Sequence, residues 1–157
     1  MYNIEYMKLA ISKAKEGIGK GEGGPFGAVI VKNGEILAIA NNTVVATNDP
    51  TAHGEVNAIR MACKKLNSFE LNGCELYTTA KPCPMCLSAI MWARIKVVYY
   101  GCELEDTANI GFSDSEIFDY ITGKVYAQKL VVQSQNSRKE CLELFEEYKK
   151  IEDKTMY

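Results

Sequence analysis

The stretch Pro82-Cys83-Pro84-Met85-Cys86 decides how the rest of this sequence is interpreted. Residues three apart on a helix share one face, so the two cysteines can aim both sulfurs at one metal ion, and the N-terminal end of the helix dipole favours their thiolate forms. The residues from Glu75 to Thr79 predict a short buried strand, and those from Cys83 to about Arg94 predict a helix. The stretch therefore indicates a metal-binding site at the junction between a strand and the helix that follows it.

The third candidate ligand is His53, the only histidine of the chain, with Glu55 two residues later. A catalytic zinc takes three protein ligands and keeps one position open for water, whereas a structural zinc site usually has four Cys or His ligands. In mid-helix, residues two apart point about 200° away from each other, so His53 and Glu55 can share a target only at a helix start. The polar run from Asn41 to Pro50 and the helical pattern from Thr51 to about Lys65 predict that position.

The order of predicted elements is typical of an α/β fold. Two successive strand-to-helix units require parallel strands, and ligands then collect at the carboxyl ends of those strands. The remaining predictions are a helix from Ile4 to about Lys20, strands over Phe26–Lys32 and Glu35–Ala40 around an Asn33-Gly34 turn, a strand over Ile95–Tyr100, an acidic irregular segment from Gly101 to Gly111, a short helix over Ser113–Tyr120, a strand around Gln128–Val132 and a helix over Ser137–Ile151.

Size and composition predict a single globular domain over residues 1–157. Hydrophobic residues make up 47% of the chain and charged residues 24%, with no signal peptide and no apolar run of membrane-spanning length, so we expect a cytoplasmic protein. The six cysteines are then expected to be thiols or metal ligands, with the four outside the motif, Cys63, Cys74, Cys102 and Cys141, buried as small hydrophobes. The net charge of −2 disfavours a nucleic-acid partner.

An H-x-E motif followed by P-C-x-x-C is the signature of zinc-dependent deaminases, and the sequence resembles the cytidine deaminase superfamily. Within that superfamily it is most similar to the bacterial guanine deaminases, from about Ile4 to Tyr157. The stretches that carry the resemblance are Pro25 to Val29, Asn48 to Glu55, Tyr77 to Thr79, Pro82 to Cys86, Trp92 to Arg94 and Gly111 to Asp114. The resemblance implies a three-layer α-β-α sandwich with a central five-stranded mixed sheet, and one Zn²⁺ per chain held by His53, Cys83 and Cys86.

The resemblance also implies the reaction and the pocket. Glu55 is expected to move protons during hydrolytic deamination of a free purine base, with guanine giving xanthine and ammonia. Phe26 is expected to stack on the ring, Asn42 to hydrogen-bond its edge, Trp92 to line the pocket and Asp114 to receive the amine. The end of the chain (about 137–157) is expected to pack on a partner subunit in a homodimer, with Tyr157 closing over an active site. The resemblance also allows a domain-swapped dimer, in which the subunits exchange this end.

Other interpretations stay open at this point. Each pocket residue has a structural alternative: a core aromatic for Phe26 or Trp92, a turn for Asn42, a helix cap for Asp114 and a frayed tail for Tyr157. Guanosine or another aminated ring could be the substrate, the chain could be a tRNA adenosine deaminase, and Cys83 with Cys86 could form a thiol redox pair. Gly54 and Lys81 depart from the family, which usually has alanine and glutamate there.

Overall fold

The computed structural model describes residues 1–124, 131, 133–153 and 155. The chain forms two compact units, Met1–Phe118 and Asp119–Tyr157. The first contains α1 (Ile4–Gly19), β1 (Gly27–Lys32), β2 (Glu35–Asn41), α2 (Val44–Thr47), α3 (Gly54–Leu66), β3 (Cys74–Ala80), α4 (Pro84–Trp92), β4 (Val97–Cys102) and α5 (Leu104–Asn109). Helix α6 (Ser115–Ile121) begins in the first unit and ends in the second, which also contains α7 (Arg138–Lys149).

The strand order in the sheet is β2-β1-β3-β4. Strand β1 is antiparallel to both neighbours, and β3 is parallel to β4, so β2, β3 and β4 all run in one direction. Their carboxyl ends therefore lie at one edge of the sheet, together with the start of β1. The loops that lead into α3 and α4 leave from that edge, which brings both predicted metal motifs to the same side.

Alternating residues of the central strands build the two faces of the sheet. Ala28 and Ile30 of β1 pack with buried residues of α3 and α4, whereas Val29 and Val31 pack with Met7 and Ala10 of α1. This period of two places helices on both faces and confirms the predicted α-β-α layering. At Gly27, an added Cβ would lie 2.1 Å from the Ala10 carbonyl oxygen, so only glycine lets α1 approach the sheet this closely.

The sheet and most helices are confirmed within a few residues of the predicted bounds, and two short helices were missed. The segment predicted to be irregular contains α5, because Glu103 and Asp106 form a reciprocal capping box at its start. The predicted strand around Gln128–Val132 lies almost wholly outside the described residues, so the described sheet has four strands.

The prediction of four buried cysteines outside the motif was partly wrong. Cys74 is buried and Cys63 half-buried, whereas Cys102 and Cys141 are exposed. Cys102 lies at the end of β4, whose outward positions are accessible, and Cys141 lies in α7, which has no buried residues. No helix among the described residues is long and apolar enough to cross a membrane. The single-domain organisation over 1–157 stays a prediction.

Candidate metal centre and substrate cavity

The three predicted metal ligands lie at the starts of two helices. His53 is the N-cap residue of α3 and has extended dihedral angles, while Cys83 is the N-cap residue of α4. Pro84 occupies the first turn of α4, where its fixed φ suits the helix and its missing N–H costs no hydrogen bond. Cys86 follows in the same turn. The local signals for helix starts therefore place all three side chains at one point.

The donor atoms are spaced as a tetrahedral metal site requires. The Nδ1 atom of His53 lies 3.6 Å from the Cys83 sulfur and 3.5 Å from the Cys86 sulfur. Zinc bond lengths of about 2.0–2.1 Å to nitrogen and about 2.3 Å to sulfur give a tetrahedral N···S separation of about 3.6 Å. All three donor atoms lie within 4.8 Å of one another. One nitrogen and two soft sulfurs in this arrangement fit Zn²⁺.

The two thiols differ in their electrostatic environment. The pKa of Cys83 is lowered to about 4, chiefly because the Cys86 thiol donates a hydrogen bond to it, and its sulfur also accepts from the Cys86 backbone N–H at 3.4 Å. The pKa of Cys86 is raised, chiefly because its thiol proton is held in that hydrogen bond to Cys83. The pKa of His53 is also raised, chiefly because its ring hydrogen-bonds to the Cys83 side chain. Metal ligands must be deprotonated, so binding of a cation here would release the Cys86 proton.

Glu55 lies in the first turn of α3, beside the three ligands but not needed as a fourth. Its side chain is 5% exposed, and its Oε1 atom accepts a hydrogen bond from the Thr78 hydroxyl at 3.1 Å. Its other oxygen lies 3.5 Å from the Cys86 sulfur. Burial raises the pKa of this carboxyl group above its usual value. A buried carboxyl group with raised pKa beside a metal site is typical of a proton-transfer residue.

A cavity of about 420 Å³ opens in front of this cluster. Two aromatic rings form one side of it, with Phe112 edge-to-face against Phe26 at a centroid distance of 5.2 Å. Polar groups converge on it as well; those predicted from the sequence are His53, Glu55, Cys83, Asn42 and Asp114. An apolar slot with few polar groups is the usual form of a site for a small planar molecule.

The two polar groups that do not face the metal differ in what they offer a ligand. The Oδ1 atom of Asn42 already accepts a hydrogen bond from the Val44 backbone N–H at 3.1 Å, so its amide nitrogen remains as a donor. Asp114 offers a carboxylate, and its partial burial raises the pKa of that group. The cavity therefore presents a donor from Asn42 and an acceptor from Asp114. The hydrogen bonds expected between Asn42 and the edge of a bound base stay a prediction.

Of the predicted pocket residues, one lies away from the metal cavity and another lies outside the described residues. Trp92 is 65% exposed and lies in a shallow surface depression with Ser88, Met91 and Arg94, not among the described residues that line the metal cavity. It follows Cys86 by six residues, which turns it about 240° around the helix axis and away from the ligand-bearing face. Tyr157 lies outside the described residues.

Several site residues were not predicted. Thr78 lies in β3 on the face toward α3, and its position two residues before the end of the strand was the signal that could have identified it. Phe112 stands in the motif that supplied Asp114, but its contact with Phe26 could not be read from the sequence. Gly23 supports Asn42 closely, since an added Cβ would lie 2.1 Å from the Asn42 Oδ1 atom.

The two departures from the family pattern are accommodated locally. An added Cβ at Gly54 would lie 3.2 Å from the Phe26 carbonyl oxygen, so an alanine would fit only after a small shift. Lys81 lines the cavity and pairs with Glu103 at 3.0 Å, and its ammonium group lies 5.5 Å from the centre of the Tyr100 ring. The positive charge at the cavity rim is therefore matched by a carboxylate.

Comparison with known proteins agrees with this geometry. Residues 2–102 match the family described as the cytidine and deoxycytidylate deaminase zinc-binding region. The chain is 54% identical over 121 residues to the guanine deaminase of Bacillus subtilis (strain 168), covering 77% of this chain and 78% of that protein. A crystal structure of guanine deaminase from Bacillus subtilis superposes with a TM-score of 0.92 at 46% identity, over 100% of this chain and 99% of that one. The tRNA-specific adenosine deaminase of Aquifex aeolicus (strain VF5) is 48% identical over 95 residues, covering 60% of this chain and 62% of that protein.

Proposed function

Because this chain belongs to the cytidine and deoxycytidylate deaminase family, we propose that it catalyses the zinc-dependent hydrolytic deamination of free guanine to xanthine and ammonia. The observation that carries the proposal is the cavity, in which a donor from Asn42 and an acceptor from Asp114 face the space beside the metal ligands. Similarity to guanine deaminase from Bacillus subtilis, in both sequence and structure, supports it.

His53, Cys83 and Cys86 would hold the zinc ion. When bound, zinc supplies Lewis acidity that activates water for attack at neutral pH. Two thiolates lower the net charge of such a centre, and the N-terminal ends of α3 and α4, which both begin at the ligands, compensate with positive electrostatic potential.

Glu55 would carry the protons of the reaction. Its carboxylate would accept a proton from the attacking water and pass it to a ring nitrogen. It would then accept a second proton from the hydroxyl group added to the ring and deliver it to the amine, which leaves as ammonia. The Thr78 hydroxyl group fixes one carboxylate oxygen, so the other remains oriented toward the ligand cluster. Burial raises the Glu55 pKa, which makes the carboxylate a stronger base than an exposed glutamate.

Recognition of guanine would depend on matching hydrogen-bond donors with acceptors. Its exocyclic amine and the adjacent ring N–H are donors, which suits the Asp114 carboxylate, while the acceptors on the purine edge suit the Asn42 amide nitrogen. Adenine and cytosine carry a ring acceptor beside the amine. One oxygen of the half-buried Asp114 carboxylate would then face an acceptor in place of a donor, at a cost of about 1–3 kcal/mol. Phe26 would stack on the ring face.

The test is an ammonia-release assay over guanine, guanosine, adenine, cytosine, cytidine and isocytosine. We expect guanine to be preferred, and Asp114→Ala to lower kcat/KM for guanine by about tenfold or more while the zinc content stays constant. Glu5→Ala, which removes the carboxylate of an exposed residue outside the cavity, is the matched control. A preference for adenine or cytidine would refute the guanine assignment, and a preference for guanosine would mean that the cavity admits a ribose.

A tRNA adenosine deaminase is the second candidate function. The similarity to the Aquifex aeolicus enzyme favours it, whereas the net charge of −2 provides little attraction for phosphates. Binding to an RNA column that weakens steeply with salt, together with inosine formation in tRNA, would favour this function over guanine deamination.

We also propose a cytoplasmic homodimer in which the end of the chain packs on the partner subunit. Helix α7 carries apolar side chains that are exposed in the single chain, Leu144 and Phe145 among them, as expected for a surface that a second subunit covers. Deletion of Met156 and Tyr157 should then raise KM or lower kcat with zinc retained. A monomer by light scattering, or unchanged kinetics after the deletion, would refute this assembly.

A further inference from the structure

Asn57 lies one helical turn after His53 on α3, and its side chain makes an unusual set of contacts. Its backbone N–H donates to the His53 carbonyl at 2.9 Å, as in an ordinary helix. Its amide nitrogen lies 3.0 Å from the Asn41 carbonyl oxygen, 3.0 Å from the Thr43 hydroxyl oxygen and 3.3 Å from the Ala52 carbonyl oxygen. A single half-buried NH₂ group therefore faces three oxygen acceptors.

These acceptors belong to the two segments that carry the ligand-binding and metal-binding side chains. Asn41 and Thr43 flank Asn42, whose amide faces the cavity, and Ala52 directly precedes His53. The Thr43 N–H also donates to the Ala52 carbonyl at 2.9 Å, so the two segments are already adjacent. The Asn57 side chain joins them a second time.

We propose that Asn57 is a positioning residue that fixes the Asn42 amide relative to His53 and Glu55, and thereby sets the affinity for the base. This inference rests on the proposed function, because it takes Asn42 as a substrate-binding residue. The NH₂ group has two N–H bonds for three oxygens, so one N–H is shared between two acceptors. A carboxylate at the same place would repel the two carbonyl groups, and an alanine would leave the acceptors without this partner.

The substitution Asn57→Ala should raise KM for guanine by about three- to tenfold, the loss expected for one or two hydrogen bonds, with a smaller change in kcat and about one zinc per chain. Asn57→Asp should raise KM further because of the repulsion. Asn72→Ala is the matched control, since its amide donates to Glu70 at 3.0 Å on an exposed turn, and it should leave KM unchanged.

A double-mutant cycle separates positioning from general destabilisation. If Asn57 acts through Asn42, then Asn57→Ala should have little further effect on KM in an Asn42→Ala background. If the fold-increases in KM of the two single variants simply multiplied in the double variant, the two residues would act independently and the inference would be overturned. If Asn57→Ala does not fold, Asn57→Ser, which is smaller and keeps one donor, replaces it in the cycle.

Hydrogen exchange provides a measurement that does not depend on activity. The backbone N–H groups of Asn42, Thr43 and Val44 all donate within this region, to Phe26, Ala52 and the Asn42 side chain. Asn57→Ala should speed their exchange, whereas Asn72→Ala should not. Unchanged exchange would overturn the inference, even in a protein that deaminates guanine. If no base were deaminated, the proposed function would fail and the exchange data alone would decide the role of Asn57.

Discussion

Replacement of Glu55 by glutamine tests the proton-transfer step with little disturbance of the structure. The substitution exchanges one carboxylate oxygen for an NH₂ group of the same shape at a position that is 5% exposed. The remaining oxygen can still accept from the Thr78 hydroxyl, which lies 3.1 Å from Oε1 in the wild-type protein. The new NH₂ group would donate to the Cys86 sulfur, which lies 3.5 Å from Oε2 and is a thiolate when a metal is bound. Both contacts therefore persist, and the three metal ligands are unchanged.

The expected loss follows from the chemistry that glutamine cannot perform. A positioned acid/base contributes about 10²- to 10⁴-fold to the rate, which corresponds to about 2.7–5.5 kcal/mol in activation free energy. We expect Glu55→Gln to lower kcat by this factor and to change KM by less than about threefold, since the side chain does not hold the base in the proposed complex.

The assay is steady-state ammonia release, combined with metal analysis and thermal unfolding of the same preparation. Glu70→Gln is the control, because it makes the same chemical change at an exposed glutamate. If the Glu55→Gln variant kept more than about a tenth of the wild-type kcat with zinc bound, Glu55 would not be the proton carrier.

Three further predictions concern metal binding and pH. Purified protein should contain about one zinc per chain, and Cys83→Ala should lose most of it by metal analysis, because two ligands remain. KM for guanine should rise as pH falls through a value above the usual aspartate pKa of 3.8, since burial raises the Asp114 pKa; a profile unchanged in Asp114→Asn would contradict this. Burial also raises the Tyr77 pKa to about 12, so alkaline titration at 295 nm should show a late-titrating tyrosine that Tyr77→Phe removes.

The metal cluster was predictable because it depends on local signals. Pro84 at a helix start and the two-residue spacing of His53 and Glu55 determine where these side chains point, whatever the rest of the chain does. The layer order was predictable as well, since strand alternation and helix periodicity are properties of single segments.

The wall of the cavity was less predictable because it depends on distant contacts. Phe112 contacts Phe26 across more than eighty residues of sequence, and the Asn42 Oδ1 atom accepts from the Val44 N–H only in the folded loop. Trp92 was assigned to the pocket by family resemblance alone, and that role stays a prediction. The six-residue step from Cys86 turns its side chain away from the ligand-bearing face of α4.

Residues from two successive stretches of the chain line the cavity, and both stretches lie in the same compact unit. The segment matched by the family ends at Cys102 and includes all three metal ligands and Glu55, whereas Thr107, Phe112 and Asp114 lie beyond it. The metal ligands and the proposed proton carrier therefore lie in one stretch of the sequence, and part of the cavity wall lies in the next stretch. We expect that grafting a different segment after Cys102 would redirect this catalyst to another aminated ring without rebuilding its metal centre, which makes the Glu103-to-Asp114 region the place to begin a redesign.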